Sequence, residues 1–363
     1  MLEDSLPDRY GNALIDAWLA EQGRTPSTFS AVERLCYVGK RGMGALEYEP
    51  QRGPLQSTSH ALNIDDMVRL ASDILTQRTA FTTTLDDATK GIADILQIGT
   101  SAGGARAKAV IAWNPSTQEV RSGQVDAGSG FSYWLIKFDG VKGNRDKELE
   151  DPRGYGAIEF AYHVMAVNAG IEMAECRLLE ENGRRHFMAK RFDRTDSGDK
   201  IHMQTLGALA HFDYNMPGVH SYEQAFLVGR QLGLPMADTE ELFRRLVFNV
   251  VARNQDDHAK NIAFLMDRKG SWRLSPAYDV TYAYNPSGLF TSRHQMTLNG
   301  KRDGFTRDDL HAAADAASLK RGRWKEILHD VLSAVRSWPT FAEKAGLDET
   351  IVRSIASTHR LQW

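Results

Sequence analysis

The sequence is poor in cysteine. Of 363 residues only Cys36 and Cys176 carry a thiol, and neither belongs to a C-x-x-C pair. A disulfide framework and a thiolate zinc site are therefore not expected. Long apolar runs are lacking too: residues 246–252 are broken by Asn249 and are far too short to span a bilayer. The first residues, Met1-Leu2-Glu3-Asp4-Ser5, are acidic and have no apolar centre, unlike a secretory leader, so a cytoplasmic protein with no membrane partner is expected. An excess of either charge is also missing. Forty-four Lys and Arg against 47 Asp and Glu give a net charge of −3, without the global basic field of a nucleic-acid binder. There is no internal repeat and no low-complexity block.

What remains is an ordinary globular composition, 42% apolar and 25% charged, in a chain long enough for a large core. Residues 1–60 are polar and rich in turn signals, with a possible strand at 43–48. Residues 64–78 read as a helix with Met67, Leu70, Ala71, Ile74 and Leu75 on one face. A small-residue loop at 99–108 leads into strand-like segments at 109–113 and 133–138. A helix over about 157–168, ended by Gly170, and a further strand at 187–192 follow. Beyond residue 200 helices dominate. Leu242, Phe243, Leu246, Val247, Val250 and Val251 recur at helical spacing, and the chain then enters a polar loop. A strand at 262–266, a turn at 267–270 and a return at 272–274 read as a hairpin, and a helix covers about 324–338.

The polar loop carries the chemistry. It reads Asn254-Gln255-Asp256-Asp257-His258-Ala259-Lys260-Asn261, and Asp279 follows directly after the hairpin. Asp256 and Asn261 have the spacing of the Asp and Asn in the catalytic loop of protein kinases. Phosphoryl transfer needs an oriented acceptor hydroxyl and neutralised phosphate charge. Asp256 suits the role of base, and the oxygen ligands Asn261 and Asp279 suit Mg²⁺. The offset favours Asp256 over Asp257. Either Asp alone would read as a turn residue; the trio in order, with a hairpin between, favours catalysis. His258 has no second histidine at i+4 and reads as a packed loop residue, while Lys260 either meets the transferring phosphate or is solvated.

Upstream, Ser101, Ala102, Gly103 and Gly104 form a glycine loop whose amides can approach phosphates. Gly99 and Gly104 have Walker A spacing, but Ala105 occupies the lysine position and a strand follows instead of a helix. That argues for a kinase-type flap over ATP. Lys137, on the strand after the loop, takes the place of an ATP-anchoring lysine, and Glu159 in the next helix is a candidate ion-pair partner.

These pieces resemble one family, the HipA-type serine/threonine kinase toxins of bacterial toxin–antitoxin modules. The matching residues are Leu6-Pro7-Asp8, Gly42-x-Gly44-Ala45-Leu46, the loop from Ser101 to Lys108, Leu135-Ile136-Lys137, Arg191-Phe192-Asp193-Arg194, Gln204-Thr205, the D-x-H-A-K-N core ending at Asn261, and Ala277-Tyr278-Asp279. The resemblance implies an α+β, two-lobed fold related to protein and phosphoinositide kinases. Its small, mostly antiparallel β lobe would fall within residues 1–195 and its large helical lobe within 196–363. It implies ATP and Mg²⁺ as cofactors, with Asp256 as base and Asn261 and Asp279 on the metal. It places Lys108, Lys137, Lys260 and His258 near the phosphates, and the backbone at Lys190 and Phe192 against adenine. Family members are acidic at the position of Lys190, so only a backbone contact carries over there. Ser101 matches the loop serine whose self-phosphorylation inactivates relatives. The implied substrate is an aminoacyl-tRNA synthetase. The implied partner is a helix-turn-helix antitoxin, with DNA reached only through it. Family members carry a small β-rich subdomain before the L-P-D segment, which here lies close to Met1; a separately encoded counterpart, as in three-gene modules, is the expectation. Two other readings stay open: a nucleotide-binding regulatory subunit with little catalysis, and a small-molecule kinase.

Overall fold

The computed structural model describes residues 2–53, 60–76, 95–96, 98–99, 104, 106–142, 145–146, 149–150, 154–195 and 197–363. The chain divides into two compact units, residues 1–156 with 175–202, and residues 157–174 with 203–363.

The first unit opens with helices α1 (Arg9–Glu21) and α2 (Ala31–Val38), where sequence reasoning found only polar turns. Tyr10, Leu14, Ile15 and Leu19 form the apolar stripe of α1 and are fully buried. The stripe is thin, and the polar residues between its members hide it. A capping box in which Ser30 and Glu33 exchange bonds starts α2. Helix α3 (Ile64–Thr76) is the expected amphipathic helix, with Met67, Val68, Ala71, Ile74 and Leu75 buried.

Three strands of a five-stranded sheet follow the expected apolar segments, and two, Val120–Ser122 and Cys176–Glu181, were not foreseen. The five are β1 (Lys108–Trp113), β2 (Val120–Ser122), β3 (Ser132–Lys137) and, after a two-residue pair β4 (Arg145–Asp146) and β5 (Leu149–Glu150), β6 (Cys176–Glu181) and β7 (Arg184–Lys190). The sheet order is β2-β1-β3-β7-β6, antiparallel throughout. All six residues of β1 are buried. Trp113 and Trp134 meet edge to face with centroids 5.7 Å apart, a geometry the ring quadrupoles favour. Strand β6 escaped notice because Arg177, Glu180 and Glu181 interrupt its apolar pattern.

The strand expected at 43–48 does not form. Its backbone groups are taken by side chains instead. The Gly44 amide donates to Asp193 Oδ2 at 2.7 Å, and Arg194 donates to the carbonyls of Gly44 (3.0 Å) and Gly42 (3.1 Å). Gly44 has φ +71°, a conformation that favours glycine. Asp193 is fully buried and receives Arg191 through two bonds, 2.8 and 2.6 Å. The G-x-G-A-L and R-F-D-R segments are therefore parts of one scaffold, and the L-P-D segment is tied to the glycine loop. Asp8 accepts the Gly104 amide at 2.6 Å, and Asp193 clamps the 42–44 turn.

In the second unit, α4 (Tyr155–Asn168, its first turn counted with the first unit) ends at Gly170, as expected. Next come β8 (His202–Thr205), α5 (Leu206–Ala210), α6 (Tyr222–Gln231) and the buried α7 (Met236–Val251). The hairpin is β9 (Ala263–Met266) with β10 (Trp272–Leu274), and it joins β8 in a sheet of order β10-β9-β8. Helices α8 (Arg307–Ala316), α9 (Arg323–Arg336), α10 (Trp338–Lys344) and α11 (Glu349–Ala356) complete the unit. Trp338 packs edge-on against Tyr162 at 5.1 Å, and Tyr162 donates to the Ala252 carbonyl at 2.7 Å, just past the end of α7.

The Asp193 cluster generates a prediction. Asp193→Ala strands two guanidinium groups and should lower unfolding stability by roughly 3–5 kcal/mol in a urea titration. Burial alone would raise the Asp193 carboxyl, but Arg191, Arg194 and the Gly44 amide hold it below the ordinary carboxylate range. A depressed value means the contribution is complete above that range and is lost as pH falls through the lowered value. The stability gap between wild type and variant should therefore close only under acid conditions; a gap that closes near neutrality would contradict the assignment.

Candidate active site

Helix α7 delivers the chain into the loop at 252–262. Asn254 is held at both ends, its amide on the Asn249 carbonyl (3.0 Å) and its side chain on Asn249 Oδ1 (2.9 Å). Asp256 and Asp257 then differ in burial. The Asp257 side chain is 1% exposed and that of Asp256 is 22% exposed. Asp257 accepts the Tyr222 hydroxyl and His294 Nδ1 on Oδ2, each at 2.7 Å, and the Gln295 amide on Oδ1 at 2.7 Å. Burial, together with the Asp257 charge, pushes the Tyr222 phenol well above its ordinary value, so it stays a donor. Asp257 is thus spent on structure, and Asp256 is the more exposed of the two acids.

Ala259–Asn261 form a single 3₁₀ turn. Asn261 Nδ2 donates to the Asp256 carbonyl at 2.8 Å, closing the loop on itself. That bond commits the amide nitrogen and leaves Oδ1 as the atom suited to a metal. Asp279 has φ +56°, uncommon for a residue with a side chain. Two bonds support the approach to it: Arg245 Nη2 donates to the Ser275 carbonyl at 2.8 Å, and the Tyr278 hydroxyl donates to the Lys260 carbonyl. Asp257, His258, Asn261, Tyr278, Asp279 and Arg245 line one concavity.

His258 is half-buried, its Nε2 3.9 Å from Asp256 Oδ2 and its ring tilted against Tyr214 at 5.3 Å. The Lys260 ammonium lies 4.6 Å from the centroid of the same tyrosine. Both residues therefore pack on a ring from the 211–220 loop that the sequence did not single out. Among the described residues no group of three or more His, Cys, Asp or Glu could hold a metal by itself. One carboxylate and one amide oxygen fit Mg²⁺, which keeps waters and shares phosphate oxygens, better than a metal that needs a full protein cage.

In the first unit, Lys137 ends β3, with its ammonium 5.7 Å from the Phe187 ring centroid. Lys108 stands directly opposite it across the β1–β3 pair and is only 3% exposed. Gly104 has φ +109°, and a Cβ there would lie 2.4 Å from Lys108 Nζ, so the lysine fills the space glycine leaves. The Lys190 amide is committed to the Glu175 carbonyl at 2.7 Å, which removes one of the backbone donors expected to meet adenine. Phe192 is half-buried beside the Asp193 cluster. Glu159 is 1% exposed and is not a solvated helix residue. Ser101, Ala102 and Gly103 lie outside the described residues.

Sequence reasoning missed Arg245, Tyr222 and His294. Arg245 had a visible signal, an arginine at i+3 from Leu242 on the apolar face of α7. Tyr222 and His294 are 35 and 37 residues from Asp257 and carried none.

With this geometry in view, the comparisons fall into place. A family model for the HipA-like C-terminal domain matches residues 100–339, more than half of the chain, and one for the HipA N-terminal domain matches residues 1–49. The fold resembles HipA in the Shewanella oneidensis MR-1 complex of HipA, HipB and operator DNA. The TM-score is 0.67 at 17% identity, covering 94% of this chain and 80% of that one. Two curated Sinorhizobium fredii proteins are also similar. "Putative kinase Y4dM" is 30% identical over 177 residues, 44% of this chain and 42% of that protein. "Putative kinase Y4mE" is 30% identical over 131 residues, 33% and 31% respectively. The matches span less than half the length of these curated relatives. The α+β architecture of two compact units is that of the HipA fold, and the chain belongs to the HipA-like family. The family's N-terminal domain is represented here by the helical residues 1–49. No described helix is long and apolar enough to cross a membrane.

Because the two adjacent acids differ in burial, their substitutions should separate. Asp257→Ala leaves buried donors unpaired and should cost about 1–3 kcal/mol of stability. Asp256→Ala should stay within about 0.5 kcal/mol. Urea unfolding of both variants checks this, and equal losses would refute the division of labour.

Proposed function

We propose that the chain is an ATP- and Mg²⁺-dependent protein serine/threonine kinase, the toxin of a bacterial toxin–antitoxin module. The observation that carries this is the loop geometry. Asp257 is buried and held by three donors, Asp256 beside it is partly exposed, and Asn261, tied by its nitrogen to the Asp256 carbonyl, lines the same concavity as Asp279. Asp256 accepts the proton of the acceptor hydroxyl while its oxygen bonds to the γ-phosphorus and the bond to the β-bridging oxygen breaks, releasing ADP. Asn261 Oδ1 and the Asp279 carboxylate would hold the Mg²⁺, which offsets phosphate charge. Lys108 and Lys137 are assigned to the ATP phosphates.

Ser101 is proposed as the self-phosphorylation site and an aminoacyl-tRNA synthetase as the cellular target. The solved relative with HipB and operator DNA supports a DNA-binding antitoxin partner for this chain. A cytoplasmic location is part of the same proposal.

Incubation with γ-labelled ATP and Mg²⁺ tests the assignment. The chain should label itself, and Asp256→Ala should slow transfer by about 10²- to 10⁴-fold. Chelation of the metal should stop transfer, and Ser101→Ala should remove label from the loop peptide. Persistent labelling in Asp256→Ala would overturn the proposal. Tight nucleotide binding without transfer would favour a regulatory subunit, and label confined to small molecules of a lysate would favour a small-molecule kinase.

A further inference from the structure

The segment after α11 runs against the start of the catalytic loop, and one residue makes most of its bonds. The Arg360 amide donates to the Val251 carbonyl at 2.9 Å, and its Nη1 donates to the Val250 carbonyl at 3.1 Å, both in the last turn of α7. The same Nη1 lies 3.1 Å from His294 Nε2, and Nη2 is bonded to Asp303. Burial and neighbouring Arg253 pull the Arg360 guanidinium down to about 10, against the opposing pull of Asp303 and Asp257, so it remains charged at neutral pH.

A guanidinium has donors and no acceptor. His294 Nε2, facing it, must therefore accept, and the ring proton must sit on Nδ1. That is the nitrogen 2.7 Å from Asp257 Oδ2. The order of contacts is then fixed in one direction: Arg360 donates to His294, and His294 donates to Asp257. Asp257 directly follows Asp256, so its anchoring fixes the backbone that carries Asp256. The ring has no other orientation that satisfies both neighbours, since a proton on Nε2 would meet a cationic donor and leave Asp257 without one of its three bonds. His294 is fully buried, so water does not offer a substitute partner.

We propose that Arg360 is a positioning residue for the catalytic loop. It holds the end of α7 with one set of bonds and, through the tautomer of His294, holds Asp257 with another. The proposal rests on the kinase reading for its effect on turnover, but its first step concerns a proton and stands apart from activity. It also gives the structure's answer to why a residue more than a hundred positions downstream matters to Asp256. Arg253 and Asp303 flank the guanidinium, with their nearest atoms 3.9 Å apart, and Arg302 donates to the His294 carbonyl at 2.7 Å. None of these three reaches Nε2 in place of Arg360.

The test uses the full chain with ¹⁵N-labelled histidine, together with Arg360→Met, which keeps length and removes the donors, and Arg360→Lys, which keeps the charge. In the wild type, the His294 resonances, assigned by their loss in His294→Gln, should show a protonated Nδ1 and an unprotonated Nε2. Arg360→Met should lose that fixed pattern. Its kcat for phosphoryl transfer should fall about 10- to 100-fold, as for a misplacement of about 1 Å. Its affinity for ATP should stay within about twofold of wild type, and Arg360→Lys should recover part of the turnover. A wild-type His294 protonated on Nε2 would overturn the proposal whatever the chain's activity. So would unchanged turnover in Arg360→Met, or an equal loss of ATP binding and turnover, which would mark a merely structural role. Absence of transfer in the wild type would instead count against the kinase reading, and the tautomer measurement would still decide the first step.

Discussion

Asp257 is a carboxylate taken out of water, and burial on that scale is tolerated only when its oxygens are filled by donors. Its donors are the Tyr222 hydroxyl, the His294 ring and the Gln295 amide, from α6 and from the stretch before α8. Meeting that demand brings three distant stretches of chain to one point. With Asp257 anchored, the backbone of Asp256 is fixed beside it, and the carbonyl of that residue accepts from Asn261. The approach to Asp279 joins the same arrangement through Tyr278 and the Lys260 carbonyl.

The first unit solves a comparable problem with Asp193. There the buried carboxylate is satisfied mainly by cations, Arg191 and Arg194, with the Gly44 amide as the remaining donor. The consequence is again positional. Residues 191–194, which continue from β7, are tied to the 42–44 turn, and Asp8 ties α1 to Gly104. These are two separate ties, one at the continuation of β7 after Lys190 and one at the loop before Lys108. In both units an acid with no direct part in the proposed chemistry determines where the reactive side chains lie.

The parts of this that were legible in the sequence were local. The stripe of α7, the hairpin and the Asp256–Asn261 offset each depend on residues within a few positions, and periodicity or turn chemistry reports them. Helix α1 was missed because its four buried residues are diluted by polar neighbours. The strand expected at 43–48 failed because long-range side chains from 191–194 capture its backbone, which no local pattern can reveal. Spacing separated Asp256 from Asp257, and the two differ in burial. The reason for it, three donors from elsewhere, could not be seen. Arg360, 66 residues from His294, is the far end of the same limitation.

Two departures from local rules fall on residues that the proposed chemistry uses. Asp279 adopts a backbone conformation that residues with a Cβ seldom take, at a cost on the order of 1–3 kcal/mol. Lys108 and Lys137 are placed face to face across two strands, with Lys108 buried. A sequence selected only for stability would replace each with little effort, a glycine at 279 or an apolar residue at 108. Conflicts of this kind persist where a ligand relieves them. Both conflicts are local, the backbone at 279 in one unit and the Lys108–Lys137 register in the other, and both fall on residues that the proposed chemistry uses.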